Sequence, residues 1–116
     1  TVSPREPIDL SNKFARAKTL HGPRMFICMS PCPTGWGFDP KESQLIAKLA
    51  VDTGIFPVKE YFEGEVVHTV LPRKRLPVEK FLERQKRFRH IFEPRRQEEV
   101  ITSIQSRVDD YWRPYE

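Results

Sequence analysis

Residues 25–38 are the longest stretch of the chain without a charged side chain, and two prolines and two glycines interrupt it. Its first part, Met25 to Met29, is a nearly continuous apolar run, which predicts a strand buried on both faces as in a parallel sheet. Its second part, residues 30–38, holds a cysteine between two prolines and predicts a loop at the carboxyl end of that strand. The stretch is too short and too broken to cross a bilayer, so the sequence predicts a soluble chain.

Turn and capping signals on either side of this stretch predict the remaining elements. Residues 1–10 carry two prolines and no periodicity, which predicts an extended lead-in, and Asp9 or Ser11 could cap a short helix that runs through Leu20. The sequence Asp-Pro-Lys-Glu at residues 39–42 combines an N-cap residue with a proline at the first helical position, and it predicts a helix that ends before Gly54.

Two apolar runs, 55–62 and 66–71, flank Glu63-Gly64-Glu65 and predict an antiparallel hairpin. Pro77 and Pro94 then open two amphipathic helices. The apolar stripe of the first contains Val78, Phe81, Leu82, Gln85 and Phe88, and that of the second contains Val100, Ile101, Ile104, Val108, Tyr111 and Trp112. The order of elements predicts an α/β fold that forms the closing part of a larger sheet.

The chain has 116 residues, enough for one domain, and a mean hydropathy of −0.59. Its 11% aromatic content excludes a wholly disordered segment. It begins with Thr-Val-Ser-Pro-Arg instead of a methionine or a basic and apolar leader, which resembles a linker. We therefore expect it to be a piece of a longer polypeptide.

The net charge of +4 is concentrated in one segment, because residues 73–96 contain ten of the 20 basic residues and three of the 16 acidic ones. This segment could contact the phosphates of a nucleic acid, with aromatic side chains stacking on the bases. We favour a simpler interpretation, an amphipathic helix with a cationic polar face, because Phe81 and Phe88 share the apolar stripe with Leu82. A third possibility is that the guanidinium groups meet an acidic partner subunit or the phosphates of an acyl carrier.

Two cysteines, Cys28 and Cys32, are too few for a disulfide framework, and a reducing cytoplasmic setting is the default. They are also too few for a four-thiolate metal site, so any such site must share ligands with other polypeptide. Cys28 is predicted to be a core residue. Cys32 is either a small buried residue or a reactive group, and a nucleophilic role would need a neighbouring base. The three histidines, His21, His68 and His90, are scattered and predicted to lie on the surface or in the hairpin.

Three motifs carry a resemblance to a known family, and they occur in the family's order and spacing. They are MSPCPTGWGFDP at residues 29–40, LAVDTGIFPV at residues 49–58 and LPVEKFLERQKRFRH at residues 76–90. Together they resemble the thiamine-diphosphate-binding beta subunit of the pyruvate:ferredoxin oxidoreductase family, over roughly residues 12–112. The loop at Pro33-Thr34-Gly35-Trp36 looks more like the pyruvate and branched-chain 2-oxoacid enzymes than the 2-oxoglutarate enzymes.

The resemblance implies an enzyme that decarboxylates a 2-oxoacid on thiamine diphosphate and Mg²⁺, transfers the acyl group to coenzyme A and passes electrons through [4Fe–4S] clusters to ferredoxin. Cys32 matches the last of four cysteine ligands to the cluster nearest the thiamine. The other three cysteines, and the Gly-Asp-Gly and Asn that hold magnesium and the diphosphate, lie upstream in the family and are absent here. The resemblance thus implies a fragment that is inactive alone and lacks most of the contacts to thiamine diphosphate.

On this basis residues 1–72 are expected to end the thiamine-diphosphate-binding α/β domain, with the ligand loop at residues 30–38. Residues 73–116 are expected to form a C-terminal helical tail that packs on the domain or on a partner subunit. The implied partners are the rest of the beta subunit, the other subunits, ferredoxin and coenzyme A, in the cytoplasm and without a membrane. Trp36 and Phe38 could tune the cluster potential by limiting water. The alternatives are a non-catalytic assembly module and, third, a nucleic-acid-binding module.

Overall fold

The computed structural model describes all residues from 1 to 116, and it combines helices with one two-stranded antiparallel sheet. The predicted α/β class is therefore confirmed. No helix combines the length and the apolar character that a membrane crossing needs. The helices are α1 (Pro7–Ala17), α2 (Pro33–Trp36), α3 (Ser43–Asp52), α4 (Glu79–Leu82), α5 (Arg89–Phe92) and α6 (Glu98–Trp112), and the strands are β1 (Val58–Phe62) and β2 (Glu65–Val70).

Helix α3 is the centre of the core; its end before Gly54 was predicted, whereas the α-helix begins at Ser43 and not at Pro40. The Asp39 carboxylate accepts the Lys41 N–H at 3.0 Å, and Pro40 begins a single 3₁₀ turn that leads into the helix. The chain leaves the helix through Thr53 and Gly54, and the latter has φ of +77°. Phe38 of the cysteine loop, side chains of α3 and side chains of residues 78–101 share one apolar cluster, which contains Phe38, Ile46, Leu49, Ala50, Val78, Phe81, Leu82, Ile91 and Ile101.

The predicted hairpin is present, with Val58 opposite Val70 and Phe62 opposite Glu65. A two-residue turn at Glu63 and Gly64 joins the strands, and both residues have positive φ, as the right-handed twist of a hairpin favours. On the other side of β1 lies the start of the chain, where the Lys59 N–H donates to Thr1 Oγ1 at 2.8 Å. The short extended segment at residues 1–2 therefore extends this layer beyond the hairpin.

The prediction of a strand at residues 25–29 that is buried on both faces is wrong for this chain. The segment is extended, but only a single parallel bridge joins Cys28 to Val2, with the Met29 N–H donating to the Val2 carbonyl at 2.9 Å. Met25 is 84% exposed and Ile27 is 54% exposed. A buried strand needs neighbours on both edges and both faces, and here one short segment pairs with it.

Three helix boundaries also differ from the predictions. Helix α1 begins at Pro7, whose fixed φ suits the first helical turn, and ends at Ala17. The helix predicted from Pro77 breaks after Leu82, because the Lys86 N–H donates to the carbonyl of Gly37 at 2.9 Å instead of continuing the helix. Helix α6 begins at Glu98 and not at Pro94.

The apolar stripes were nevertheless predicted largely correctly. In the first, Val78, Phe81, Leu82 and Gln85 are all buried although the helix is broken. In the second, Ile101 and Trp112 are buried, whereas Val100 is 38% exposed. Burial of a side chain thus depends on the packing of the chain as a whole and does not require an unbroken helix.

Candidate functional site

The Cys32 side chain is exposed on a loop whose backbone is held from several sides. Cys32 is the N-cap residue of the single turn α2, and its Sγ accepts the Gly35 N–H at 3.2 Å. The Trp36 N–H donates to the Cys32 carbonyl at 2.9 Å, which closes the turn. The sulfur is therefore accessible to a ligand while its orientation is fixed by the backbone.

Two glycines of the loop lie in close contact with neighbouring atoms. A Cβ atom at Gly35 would lie 3.2 Å from Cys32 Sγ, so a side chain there would press on the sulfur. Gly37 has φ of +75°, and a Cβ atom there would lie 2.6 Å from Lys86 Cβ. Gly37 thus allows the tail to approach the cysteine loop closely.

Aromatic side chains form the wall between the loop and the core. Trp36 makes edge-to-face contacts with Phe38, at 6.3 Å between ring centroids, and with Phe81, at 6.4 Å. Phe38 and Phe81 are buried, and Trp36 is half-buried. The loop predicted at residues 30–38 is therefore anchored through two aromatic side chains of its own.

Arg87, one of the cations of residues 73–96, contacts this wall. The guanidinium of Arg87 is 4.0 Å from the ring centroid of Trp36 and 4.6 Å from that of Phe88. Its Nε donates to Gln85 Oε1 at 2.7 Å, and the Gln85 amide is buried and donates to the Phe81 carbonyl. Partial burial lowers the pKa of Arg87 from its usual value. The one sequence signal for this arrangement was a glutamine in an otherwise apolar stripe.

A groove of about 820 Å³ runs beside the loop, and most of the residues that line it are apolar. Its charged residues are all cations, namely Lys59, Arg87 and Arg107, and no carboxylate lines it. None of these three has a carboxylate partner within salt-bridge distance. The surface next to the cysteine loop is therefore apolar and positively charged.

The prediction that Cys28 is a core residue is wrong for this chain. Its side chain is exposed and lines the groove, whereas the next residue, Met29, packs against the core cluster. The two side chains diverge because consecutive side chains of an extended segment point to opposite sides. A run of apolar residues does not tell which of its members face the core when one side of the segment is uncovered.

The histidines lie where the sequence predicted, on the surface or in the hairpin. His21 and His90 are exposed. His68 lies on β2, and its Nε2 is 2.8 Å from the hydroxyl of Tyr111, which also accepts a hydrogen bond from Lys59 Nζ at 2.9 Å. Burial, with a smaller contribution from the Lys59 charge, lowers the pKa of His68. No histidine forms a hydrogen bond with Cys32, so the loop has no base of the kind that a thiol nucleophile requires.

Much of the charge of the basic segment at residues 73–96 is paired. Arg84 bonds Glu42 at 3.0 Å, Arg89 bonds Glu93 at 2.8 Å, and Arg96 pairs with two glutamates. Phe81 is 4% exposed and the ring of Phe88 packs against the core cluster. The aromatic residues of the segment therefore face the core, as the amphipathic interpretation predicted.

The chain contains no group of three or more His, Cys, Asp or Glu side chains that could hold a metal ion. Cys32 could supply one thiolate, with one backbone N–H directed at its sulfur, and this fits a shared iron–sulfur site. A complete site would need further ligands from other polypeptide. The arrangement by itself presents an exposed sulfur on a turn whose Trp36 ring packs on Phe38 and Phe81.

No protein-family model matches the chain. Curated relatives do match it: it is 40% identical over 104 residues to pyruvate synthase subunit PorB of Methanocaldococcus jannaschii, covering 90% of this chain and 33% of the relative. It is also 40% identical to the PorB subunit of Methanosarcina barkeri, over 94% of this chain and 37% of the relative. With ketoisovalerate oxidoreductase subunit VorB of Pyrococcus furiosus it is 35% identical, over 97% of this chain and 35% of the relative.

The chain thus spans about a third of the length of the curated relatives that it matches. The similarity extends over nearly the whole chain and includes both the cysteine loop and the tail. Relatives named for pyruvate and for ketoisovalerate enzymes both occur among the matches, as the loop resemblance implied. The resemblance noted in the sequence is thereby confirmed as a similarity to the PorB and VorB subunits, for a segment that corresponds to about a third of their length.

Proposed function

We propose that this chain is part of an enzyme that oxidatively decarboxylates pyruvate or a related 2-oxoacid. In the proposed reaction, coenzyme A accepts the acyl group, carbon dioxide is released and two electrons pass singly to ferredoxin through [4Fe–4S] clusters. The observation that carries this proposal is the 40% identity to pyruvate synthase subunits over 90–94% of the chain. We expect the assembly to be cytoplasmic.

Within this enzyme, Cys32 is the proposed ligand that this chain contributes to a [4Fe–4S] cluster. Its sulfur is exposed, and the Gly35 N–H that points at it would stabilise a thiolate. An iron–sulfur cluster supplies one-electron transfer when it is bound. Trp36 belongs to the turn that Cys32 caps and contacts Phe38, and a tuning role of these two aromatic residues through the exclusion of water is part of the proposal.

Residues 1–72 are proposed to end the domain that binds thiamine diphosphate, and residues 73–116 to form a tail on it. The shared core supports an attachment of the tail to this chain itself, because Phe81 and Ile101 pack in one cluster with Ile46 of α3. Thiamine diphosphate and Mg²⁺ would be held mainly by residues outside this chain. The chain itself contains no cluster of three or more His, Cys, Asp or Glu side chains that could hold a metal ion.

A contribution to subunit assembly is the second candidate function, and the open groove favours it. The groove is largely apolar, and it exposes Cys28 together with three cations that lack carboxylate partners. Surfaces of this kind mark sites of contact with other polypeptide. This role is compatible with the enzymatic one, because the rest of the proposed subunit and its partner subunits are both available to cover the groove.

The test uses the assembled oxidoreductase with Cys32→Ser in the subunit that contains this chain. We expect the variant to lose pyruvate-dependent reduction of ferredoxin by a factor of about 100 or more, because electrons have no nearby acceptor, while thiamine diphosphate stays bound. The bound thiamine is measured after protein precipitation, and it serves as the internal control for folding. Full ferredoxin reduction by the variant would overturn the proposed role of Cys32.

A further inference from the structure

The apolar core of this chain is open at the groove beside the cysteine loop. Nine half-buried apolar side chains pack against the core cluster, and all of them except Leu45 and Phe92 line the groove. The groove has a volume of about 820 Å³ and continues directly into the core. An apolar opening of this size marks a surface that other polypeptide covers.

One face of helix α6 forms a wall of the groove. Its lining residues are Ile104, Arg107, Val108 and Tyr111, and their spacing of three and four positions places them on the same side of the helix. The helix therefore presents an apolar stripe, with one cation in it, to whatever fills the groove.

The three cations of the groove come from separate parts of the chain. Lys59 lies on β1, Arg87 lies between α4 and α5, and Arg107 lies on α6. Lys59 is half-buried, and its Nζ donates to the Tyr111 hydroxyl at 2.9 Å and lies 4.8 Å from the centroid of that ring. Its charge is therefore held at the wall of the groove.

These cations restrict the chemistry of the segment that fills the groove. A neutral apolar segment would bury positive charges without partners, which costs free energy. The groove itself offers no Asp or Glu, so the carboxylates have to come from the occupant. Charge complementarity therefore requires a segment that combines apolar side chains with acidic ones.

We propose that the groove is filled by a segment from the remaining two-thirds of the same subunit, whose apolar side chains enter the opening and whose acidic side chains pair with the three cations. This inference rests on the proposed function, which makes this chain part of such a subunit. The chain spans 33–37% of the relatives that it matches, so about two-thirds of a subunit of that length lies outside it. The opening is continuous with the core, and a domain core is formed by its own polypeptide, which favours the same subunit over a neighbouring one.

The test is the reactivity of Cys28 in the assembled oxidoreductase, because this exposed cysteine lines the groove. The native complex and the same complex in urea are alkylated with iodoacetamide, and fragmentation mass spectrometry separates the label on residue 28 from that on Cys32. Cys28 is expected to react at least about tenfold more slowly in the native complex, because the docked segment covers it. Equal rates in the two samples would show an open groove and would overturn the inference.

Two arginines of the tail provide a matched pair of charge reversals. Arg107 and Arg95 are both exposed and both lack a carboxylate partner, but only Arg107 lines the groove. In the native complex, Arg107→Glu is expected to raise the alkylation rate of Cys28 by about twofold to fivefold, whereas Arg95→Glu should leave it at the wild-type value. Arg107→Gln removes the charge without reversing it, and it carries the test if the Glu variant does not assemble. Wild-type rates in every Arg107 variant would overturn the acidic character of the segment.

Zero-length cross-linking with a carbodiimide identifies the segment, because this reagent joins an amine to a carboxylate that is in contact with it. Lys59 is expected to be joined to an Asp or Glu of the same subunit outside these 116 residues. Lys59→Arg keeps the charge but cannot form the amide, so it should lose this product. A cross-link from Lys59 to another subunit, or none at all, would overturn the proposed occupant.

The failure of this inference can be distinguished from failure of the proposed function, because neither alkylation nor cross-linking depends on electron transfer. If Cys32→Ser keeps full ferredoxin reduction while Cys28 is protected, the proposed role of Cys32 is overturned and the docking is supported. If Cys32→Ser loses that activity but Cys28 reacts equally fast in the native complex and in urea, only the docking is overturned.

Discussion

Two adjacent segments of this chain, residues 21–29 and the loop at residues 30–38, are both rich in apolar and turn residues but are held very differently. The first is attached by one bridge between Cys28 and Val2, by the ring of Phe26 stacked on that of Phe14 and by the packing of Met29 on the core, but Met25 and Ile27 are exposed. The second is held by Trp36 and its aromatic contacts, by a backbone bond from the tail and by the turn around Cys32.

This difference indicates which parts of the proposed site are intrinsic to the chain. The geometry of the cysteine loop follows from contacts among residues 30–38, α3 and residues 81–88, all of which lie within these 116 residues. The burial of residues 25–28 would depend on other polypeptide that covers them. The loop should therefore keep its shape under changes that leave the tail intact, and the exposed positions of the preceding segment, Met25 and Ile27, should tolerate substitution.

The largest expected difference comes from truncating one apolar side chain in each region. Phe81 is 4% exposed and contacts Trp36, so Phe81→Ala is expected to lower the free energy of unfolding by about 3–5 kcal/mol. Met25 is 84% exposed, so Met25→Ala should change it by less than about 0.5 kcal/mol in this chain. Urea denaturation followed by far-UV circular dichroism measures both. Equal losses in the two variants would contradict the contrast.

A pair of glycine substitutions sharpens the comparison further. Gly37 and Gly22 both have positive φ, at +75° and +94°, so alanine costs about 1–2 kcal/mol of backbone strain at either position. At Gly37 the new Cβ would also meet Lys86 Cβ at 2.6 Å, whereas nothing lies within 4 Å at Gly22. Gly37→Ala should therefore lose about 1–3 kcal/mol more than Gly22→Ala.

The same denaturation experiment checks this pair, with Gly22→Ala as the matched control for strain alone. Indistinguishable midpoints for the two variants would mean that the tail does not press on the loop at this point. The close contact between Gly37 and Lys86 would then not contribute to the stability of the loop.

The smallest effect concerns pH and the hairpin, to which the first segment is attached through residues 1–2. Burial and Lys59 lower the pKa of His68, so the unfolded chain takes up a proton at a higher pH than the folded chain does. The stability that neutral His68 contributes is complete above its unfolded pKa of about 6.5 and is lost as the pH falls below that value. Denaturation midpoints measured between pH 8 and pH 5 test this, and His68→Gln should flatten the profile. An equal slope in that variant would assign the pH dependence to other groups.

Local signals in the sequence predicted much of this fold. The proline and aspartate before α3, Gly54 after it and the turn at Glu63 and Gly64 all act through the backbone of a few neighbouring residues, and these features are confirmed. The apolar stripe around Phe81 was also predicted, because it follows from side-chain periodicity.

Features that depend on contacts between distant parts of the chain were missed. The helix after Pro77 ends where Lys86 bonds Gly37, about fifty residues away in sequence, and no local pattern encodes that bond. Cys28 was predicted in the core because it lies in an apolar run, but it is exposed. The run by itself does not show which other parts of the chain cover it. The stacking of Arg87 on Trp36 was missed for the same reason, since it requires the tail and the loop to be brought together.

The central claim is that Cys32, and not Cys28, supplies a cluster ligand, and the most direct measurement is the iron content of the assembled oxidoreductase with each cysteine changed to serine. Both side chains are exposed, so Cys28→Ser is a close control for the chemistry of the substitution. The account predicts that Cys32→Ser loses the iron of one [4Fe–4S] cluster, about four atoms per copy of the subunit, while Cys28→Ser keeps the wild-type content. Wild-type iron in the Cys32→Ser complex would contradict it.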